Sequence, residues 1–289
     1  MPSQMKLGVI TIQNTDWPTI LQRWQYIEQL GFDSVWLADH LVNHRQPHSP
    51  WLEAWTLLPA LATATSTIRF GPLVTPFPLR NPAMLARQAL TVDHISNGRL
   101  ELGLGTGTSH DIGYSMLGIP DYTPAERVSH FREMVEIVDG MLRNEVTTYQ
   151  GNHYQVNGLV TRPAPVQQPR IPITIAALGP AMLKITAQYA DRWNTYVAGA
   201  ASHEQAAEVV RQRNDMLNEY CSQIGRNPNE ITRSYLVYGG ASPFDAVGAF
   251  EDMVGSYREV GINEVICYYP PTEWYPQGNS AQNETFERI

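Results

Sequence analysis

Lysine is nearly missing from this chain of 289 residues, where Lys6 and Lys184 are the only two. Lysine and arginine together number 20 against 28 acidic residues, and the formal net charge is −8 at pH 7. A nucleic-acid-binding surface needs clustered basic side chains to neutralise phosphates, and the sequence contains no basic stripe. We therefore expect no nucleic acid as a partner.

Cysteines and long apolar runs are also scarce. Cys221 and Cys267 are far apart and match no metal-ligand spacing, as expected for a reduced, cytoplasmic protein. No apolar run approaches the roughly 18 residues of a membrane span. The first ten residues lack the charged-then-apolar order of a signal peptide. Together these absences predict a cytoplasmic protein that does not contact a membrane.

The chain does contain a regular alternation of strand and helix patterns. Short apolar runs predict strands near residues 6–12, 34–38, 68–74, 99–104, 171–176, 193–197, 234–238 and 264–267. Such runs are typical of strands covered on both faces, and eight strands are the number that closes a parallel barrel. We expect an α/β fold, a (β/α)8 TIM barrel formed by one domain over residues 1–289.

Helix signals between the strands support this fold. Asp16 and Asn81 are candidate N-caps, each followed by a proline at the start of an amphipathic pattern. Residues 144–170 interrupt the alternation, because 146–149 and 153–156 alternate like a hairpin that turns at Gln150-Gly151. We expect an insertion there, between the fourth helix and the fifth strand.

Unusual residues follow several of the predicted strands. Asp39-His40 follows the second strand, Thr75-Pro76 the third, and a glycine-rich stretch, residues 103–107, ends the fourth. The carboxyl ends of parallel strands meet on one rim, so these clusters predict a site there. Histidine exchanges protons near neutral pH, and glycine allows a flat group close to the backbone. Ordinary packing is the alternative explanation for each cluster.

The remaining strand ends carry weaker signals. Residues 176–182 run from the fifth strand into a helix whose free N–H groups could hold an anion. We expect a bulge in the third strand near Thr75, and Trp193 and Tyr196 as walls of an apolar pocket. His40, His44 and His48 recur every four residues, but prolines interrupt any helix there, so no metal site is expected.

Five segments resemble, in order and spacing, the bacterial luciferase-like superfamily of flavin and deazaflavin oxidoreductases. They are GFDSVWLADH, LRNPAMLARQALTVDHISNGRLELGLGTG, RPAPVQQPRIPITIAALGP, ADRWN and GINEVICYYPP. The Asp-His and Thr-Gly pairs are similar to the branch that uses coenzyme F420. The resemblance implies a (β/α)8 barrel that transfers a hydride between F420 and a small organic substrate, and it favours a homodimer.

Alternatives stay open at this point. An FMN-dependent monooxygenase belongs to the same superfamily, whereas a metal-dependent barrel hydrolase and a non-catalytic flavin-binding protein lie outside the F420 interpretation. This sequence departs from the pattern of the superfamily at Thr108, where some deazaflavin dehydrogenases have a glutamate. A hydroxyl cannot replace a carboxylic acid, so this position argues against a sugar-phosphate dehydrogenase.

The resemblance assigns roles to particular residues. His40 would be the catalytic proton donor or acceptor. The residues implied to bind the coenzyme ring are Asp39, Thr75, Thr106 and Gly107. Those implied to surround its phosphate are Leu178, Gly179, Ala181 and Met182.

Overall fold

A computed structural model of the chain describes residues 5–238, 242–270 and 280–289. The strands are β1 (Lys6–Thr11), β2 (Ser34–Leu37), β3 (Arg69–Pro72), β4 (Thr75–Pro76), β5 (Leu102–Gly105), β6 (Val146–Gln150), β7 (Gln155–Val160), β8 (Ile173–Ala176), β9 (Arg192–Thr195), β10 (Thr232–Leu236) and β11 (Glu264–Tyr268). The helices are α1 (Trp17–Leu30), α2 (Ala54–Ala64), α3 (Pro82–Ile95), α4 (Ile112–Met116), α5 (Pro124–Arg143), α6 (Pro180–Tyr189), α7 (His203–Gln223), α8 (Val247–Glu259) and α9 (Ser280–Arg288).

The main sheet is parallel and runs in the order β3-β2-β1-β11-β10-β9-β8-β5-β4. Its two end strands, β3 and β4, are parts of one strand separated by Leu73 and Val74. A parallel bridge between Phe70 and Leu100 joins the ends of the sheet. The sheet therefore closes at eight strand positions, which confirms the predicted (β/α)8 barrel.

Helix boundaries follow the capping residues. The Asp16 carboxylate accepts from the Thr19 N–H at 2.9 Å, and Asn81 accepts from Ala83 at 3.0 Å, so both predicted N-caps are confirmed. Buried apolar stripes then hold the helices on the barrel, as along α5, where Phe131 and Val138 are fully buried.

In the described ranges, the helices are all too short or too polar to span a lipid bilayer.

Charged side chains fill the amino-terminal end of the barrel. Arg192 pairs with Glu264 and lies 3.4 Å from Glu101, which also accepts from Arg69 at 2.6 Å. Ser34 donates to Glu264 at 2.6 Å. Buried charges are tolerated only when opposite charges compensate them, and the two arginines and two glutamates of this cluster pair with one another. Paired charges therefore occupy the amino-terminal end of the barrel interior.

The predicted hairpin is present between α5 and β8, as the antiparallel pair β6–β7. Its second strand begins at Gln155 and not at residue 153, and it extends to Val160. The Glu133 carboxylate accepts from the backbone N–H groups of residues 152–154. These bonds from α5 hold residues 152–154 in the turn, which sequence alternation alone did not indicate.

The third strand is interrupted where a bulge was expected. The Leu73-Val74 peptide bond between β3 and β4 is cis. The Leu73 N–H still donates to the Leu37 carbonyl at 2.8 Å, so the strand stays attached to β2. Val74 lies against Gly105 of the neighbouring strand, because a Cβ added at Gly105 would be 2.5 Å from Cγ2 of Val74.

Gly103 provides a test of how closely the strands approach around this interruption. A Cβ at Gly103 would lie 1.9 Å from the Pro72 carbonyl oxygen, which belongs to the backbone and cannot move aside. We expect Gly103→Ala to cost at least about 2 kcal/mol of unfolding free energy, measured by urea denaturation. Gly248→Ala is the control, because that glycine lies exposed in α8 with open space around it. Equal stability of the two variants would contradict this packing.

Candidate active site

A cavity of about 320 Å³ opens at the carboxyl ends of the barrel strands. Most of the residues singled out in the sequence lie on its wall, although they come from strands far apart in the chain. These are Asp39, His40, Thr106, Gly107, Leu178, Gly179 and Met182. The structure thus brings the predicted strand ends together on one rim.

Two of the singled-out residues lie beside the cavity and do not line it. Thr75 is fully buried, and its neighbours Val74 and Pro76 form the wall instead. Ala181 is exposed in the first turn of α6, next to Gly179. The Thr75 hydroxyl donates a hydrogen bond to the buried Asp39 carboxylate.

The Asp39 carboxylate is held by three side chains. Arg80 donates to Oδ1 at 2.8 Å, and Oδ2 accepts from Thr75 at 2.8 Å and from the Trp55 indole at 3.1 Å. Arg80 also pairs with Glu53, which caps α2. Because Asp39 is only 2% exposed, its charge must be compensated internally. This network fixes the end of β2 and therefore the orientation of the next residue, His40.

His40 is paired with a residue from another strand end. Its Nδ1 lies 2.8 Å from Oδ2 of Asp111, the N-cap of α4. The indole of Trp51 donates to the His40 carbonyl at 2.7 Å. Burial would raise the pKa of Asp111, but the hydrogen bond and charge of His40 and the Gly113 N–H hold that pKa below its usual value. The pair is an imidazole bound to a carboxylate, an arrangement suited to proton transfer.

Tyr114 places a neutral phenol in the same wall. Burial, together with the charge of Asp111, raises the pKa of Tyr114 well above its usual value. Its hydroxyl has no hydrogen-bond partner among the described residues. Gly107, at φ +68°, passes directly beneath it, since a Cβ there would lie 2.2 Å from the Tyr114 oxygen. A buried hydroxyl without a partner among the described residues makes Tyr114 a candidate hydrogen-bond donor in this wall.

The wall opposite is apolar and aromatic. It consists of Ile10, Ile12, Leu236, Tyr196, Tyr238 and Tyr268. The prediction for Tyr196 is thus confirmed, whereas that for Trp193 is wrong. Trp193 is fully buried, and its indole donates to the Ala177 carbonyl at 2.9 Å. Consecutive residues of a strand point to opposite faces, so a residue of β9 can face the helices while another faces the cavity.

The start of α6 forms the polar end of the cavity. Gly179 is the N-cap, and within the described chain no side chain caps this helix. Pro180 has no N–H, so the N–H groups of Ala181 and Met182 are the donors at this end. Together with the helix dipole, such groups bind anions.

Sequence reasoning missed Arg80, Asp111 and the role of Tyr114. Asp111 had a weak signal, since it follows the glycine-rich end of β5 and can cap a helix. Arg80 and Tyr114 had none, because their importance depends on contacts across the rim. In the described part of the chain no group of three or more His, Cys, Asp or Glu side chains could hold a metal ion.

The sequence of this chain is similar to a known protein family and to individual known proteins. The family model of the luciferase-like monooxygenases matches residues 3–238. The 5,10-methylenetetrahydromethanopterin reductase of Archaeoglobus fulgidus is 31% identical over 307 aligned positions, covering 99% of this chain and 84% of the relative. The F420-dependent glucose-6-phosphate dehydrogenase of Amycolatopsis mediterranei is 34% identical over 169 positions. That match covers 57% of this chain and about half, 48%, of the relative.

A solved structure agrees over almost the full length. An F420-dependent secondary alcohol dehydrogenase, determined with an F420-acetone adduct, superposes with a TM-score of 0.79. The match covers 97% of this chain and 99% of the other, at 17% sequence identity. At that identity the likeness shows the shared fold alone.

The Asp39 network can be tested in the protein without any ligand. Thr75→Val keeps the shape of the side chain but removes the hydroxyl that donates to Asp39 and accepts from Trp55. We expect it to lose about 1–3 kcal/mol of unfolding free energy, because two buried polar groups lose a partner. Thr75→Ser, which keeps the hydroxyl, is the control in the same denaturant titration. A valine variant as stable as the wild type would show that the network contributes nothing.

Proposed function

Since the chain belongs to the luciferase-like monooxygenase family, we propose that it is an oxidoreductase that transfers a hydride between coenzyme F420 and a small organic substrate. The relative that aligns with 99% of this chain is named a 5,10-methylenetetrahydromethanopterin reductase. The relative that aligns with 57% of it is named an F420-dependent glucose-6-phosphate dehydrogenase. One domain over residues 1–289, a homodimer and a cytoplasmic location are proposed with it.

The observation that carries the proposal is the unsatisfied hydroxyl of Tyr114 above the side-chain-free backbone of Gly107. A flat heterocycle could lie against Thr106, Gly107 and Val74, which line the cavity beside this phenol. Asp39 would act here through its network, because its oxygens are already bonded to Arg80, Thr75 and Trp55. The residues present therefore fit a deazaflavin ring.

The anionic tail of the coenzyme fits the start of α6. Its phosphate would accept from the N–H groups of Ala181 and Met182, beside Leu178 and Gly179. Any side chain at position 179 would narrow this approach, and glycine leaves it open. This end needs no lysine, which agrees with the composition of the chain.

When bound, a deazaflavin supplies a ring carbon that accepts or releases a hydride. His40 would take or return the proton that accompanies each hydride, since its ring lines the cavity and is held by Asp111. The aromatic wall around Tyr196 would exclude water from the reacting pair and fix the orientation of the substrate.

The substrate would be uncharged. None of the described residues that line the cavity is a lysine or an arginine. Segments 1–4, 239–241 and 271–279 contain neither residue in their sequence. The nearby Arg80 is already paired with Asp39 and Glu53. A buried phosphate ester would thus lack compensation, so alcohols, ketones or other neutral carbonyl compounds fit better than sugar phosphates.

Titration of the purified protein with F420 and with FMN, each oxidised and reduced, tests the coenzyme. We expect saturable binding of F420, followed by absorbance at its deazaflavin band. His40→Ala should bind F420 with unchanged affinity and lose at least about tenfold in turnover, the usual minimum for acid–base catalysis. Tight binding of FMN alone would instead support the second candidate, an FMN-dependent monooxygenase, since the family that matches residues 3–238 is named for monooxygenases.

Matched substrates test the charge of the pocket. We expect glucose 6-phosphate to show kcat/KM at least about tenfold below that of glucose, because the phosphate has no cation to pair with and an unpaired buried charge costs more than 1.4 kcal/mol. Secondary alcohols of similar size without charge should exceed both. A phosphate that raises kcat/KM would show that this assignment of substrate class is wrong.

A further inference from the structure

We propose that Asp111 is a positioning residue that fixes the tautomer of His40, so that Nε2 of the imidazole is the nitrogen that exchanges a proton in the cavity. The inference deepens the proposed function, because it supplies the partner that the acid–base residue requires. It also explains how the chain can work without an acid at position 108.

The contact between the two rim residues determines which ring nitrogen carries hydrogen. Nδ1 of His40 lies 2.8 Å from Oδ2 of Asp111. An ionised carboxylate can only accept, so the hydrogen must be on Nδ1 and the lone pair on Nε2. The Asp111 side chain is 1% exposed, whereas that of His40 is 25% exposed. The Nδ1 edge is therefore the buried edge of the ring, and Nε2 is on the cavity side.

The carboxylate of Asp111 is itself held in place. Oδ1 accepts from the Gly113 N–H at 2.8 Å at the start of α4, while Oδ2 binds His40. Each oxygen thus has a fixed partner. These two bonds also hold the pKa of Asp111 below its usual value, against the effect of burial. Asp111 stays ionised and can stabilise a protonated imidazole.

Thr108 lines the same cavity but offers only a hydroxyl. Asp111 lies three residues after Thr108 and provides a carboxylate in the same loop. That carboxylate is buried behind His40 and does not reach the cavity, so it cannot donate a proton to the substrate directly. His40 is therefore the residue that exchanges a proton with the substrate, and Asp111 acts by holding the His40 ring.

The proton step balances with hydride transfer. When an alcohol is oxidised, its C–H bond breaks and both electrons leave with the hydride for the coenzyme. The O–H proton moves to Nε2 of His40, and the C=O bond forms. The Nδ1 hydrogen stays on the His40 ring, bonded to Asp111, whose negative charge faces the new imidazolium. Reduction of a ketone follows the same path in reverse.

Other ionisable groups surround His40. The ring of His44 is 5.4 Å away, centroid to centroid. Asp39 precedes His40 in the chain, but its charge is compensated by Arg80. Tyr114 stays neutral, because burial raises its pKa. Asp111 is therefore the anion in hydrogen-bond contact with the imidazole.

The test is Asp111→Asn, read by ¹⁵N chemical shifts of the His40 ring in the protein without coenzyme. In the wild type we expect hydrogen on Nδ1 in the neutral form. In the variant the Asn oxygen can keep the Gly113 bond, and its NH₂ then faces Nδ1. We expect the hydrogen to move to Nε2 and turnover to fall at least about tenfold, as for a catalytic histidine held in the wrong tautomer.

Asp121→Asn is the matched control, because Asp121 also pairs with a histidine, His110, but on the surface. It should leave both the His40 shifts and turnover unchanged. Hydrogen on Nε2 in the wild type, an unaltered tautomer in Asp111→Asn, or full activity despite a changed tautomer would each overturn the proposal. The shifts need no coenzyme, so failure of F420 to bind would count against the proposed function and leave the tautomer result intact.

Discussion

The parallel register of the barrel strands is the constraint on which the site depends. Parallel pairing makes all carboxyl ends meet on one rim, so that Asp39, Gly107 and Gly179, far apart in sequence, share one cavity. The opposite end is occupied instead by Arg192 and its carboxylate partners, which pair with one another. Closure of the sheet at the interrupted third strand completes the wall, with Val74 packed against Gly103 and Gly105 of β5.

On this rim, the protein uses buried charge in two different ways. Around Asp39 the charge is neutralised by Arg80 and bonded by Thr75 and Trp55, which makes a rigid support. At Asp111 the partner is a histidine, whose proton can be exchanged. The first arrangement fixes the end of β2, and the second binds the residue that follows, His40, to a carboxylate. The two carboxylates have the same chemistry, and their partners decide what each one does.

The cavity combines these charged supports with walls in which none of the described lining residues is a lysine or an arginine. Its polar lining includes His40, Tyr114, Thr106 and Asn194, and a wall of aliphatic and aromatic side chains around Tyr196 lies opposite. The proposed flat coenzyme, anchored at one end by backbone N–H groups, and the proposed neutral substrate match a site of this kind. The composition of the chain, with only two lysines, is consistent with this division.

The sequence by itself determined the barrel, because short apolar runs and capped amphipathic helices report local periodicity and burial. It also located the rim, since strand ends such as Asp39-His40 are visible as breaks in that pattern. Only the tertiary structure decided which groups meet across the rim. The partnership of His40 with Asp111, the locking of Asp39 by Arg80, and the outward position of Trp193 depend on strand register and side-chain direction. Those are set by contacts between residues distant in the chain, which local patterns do not encode.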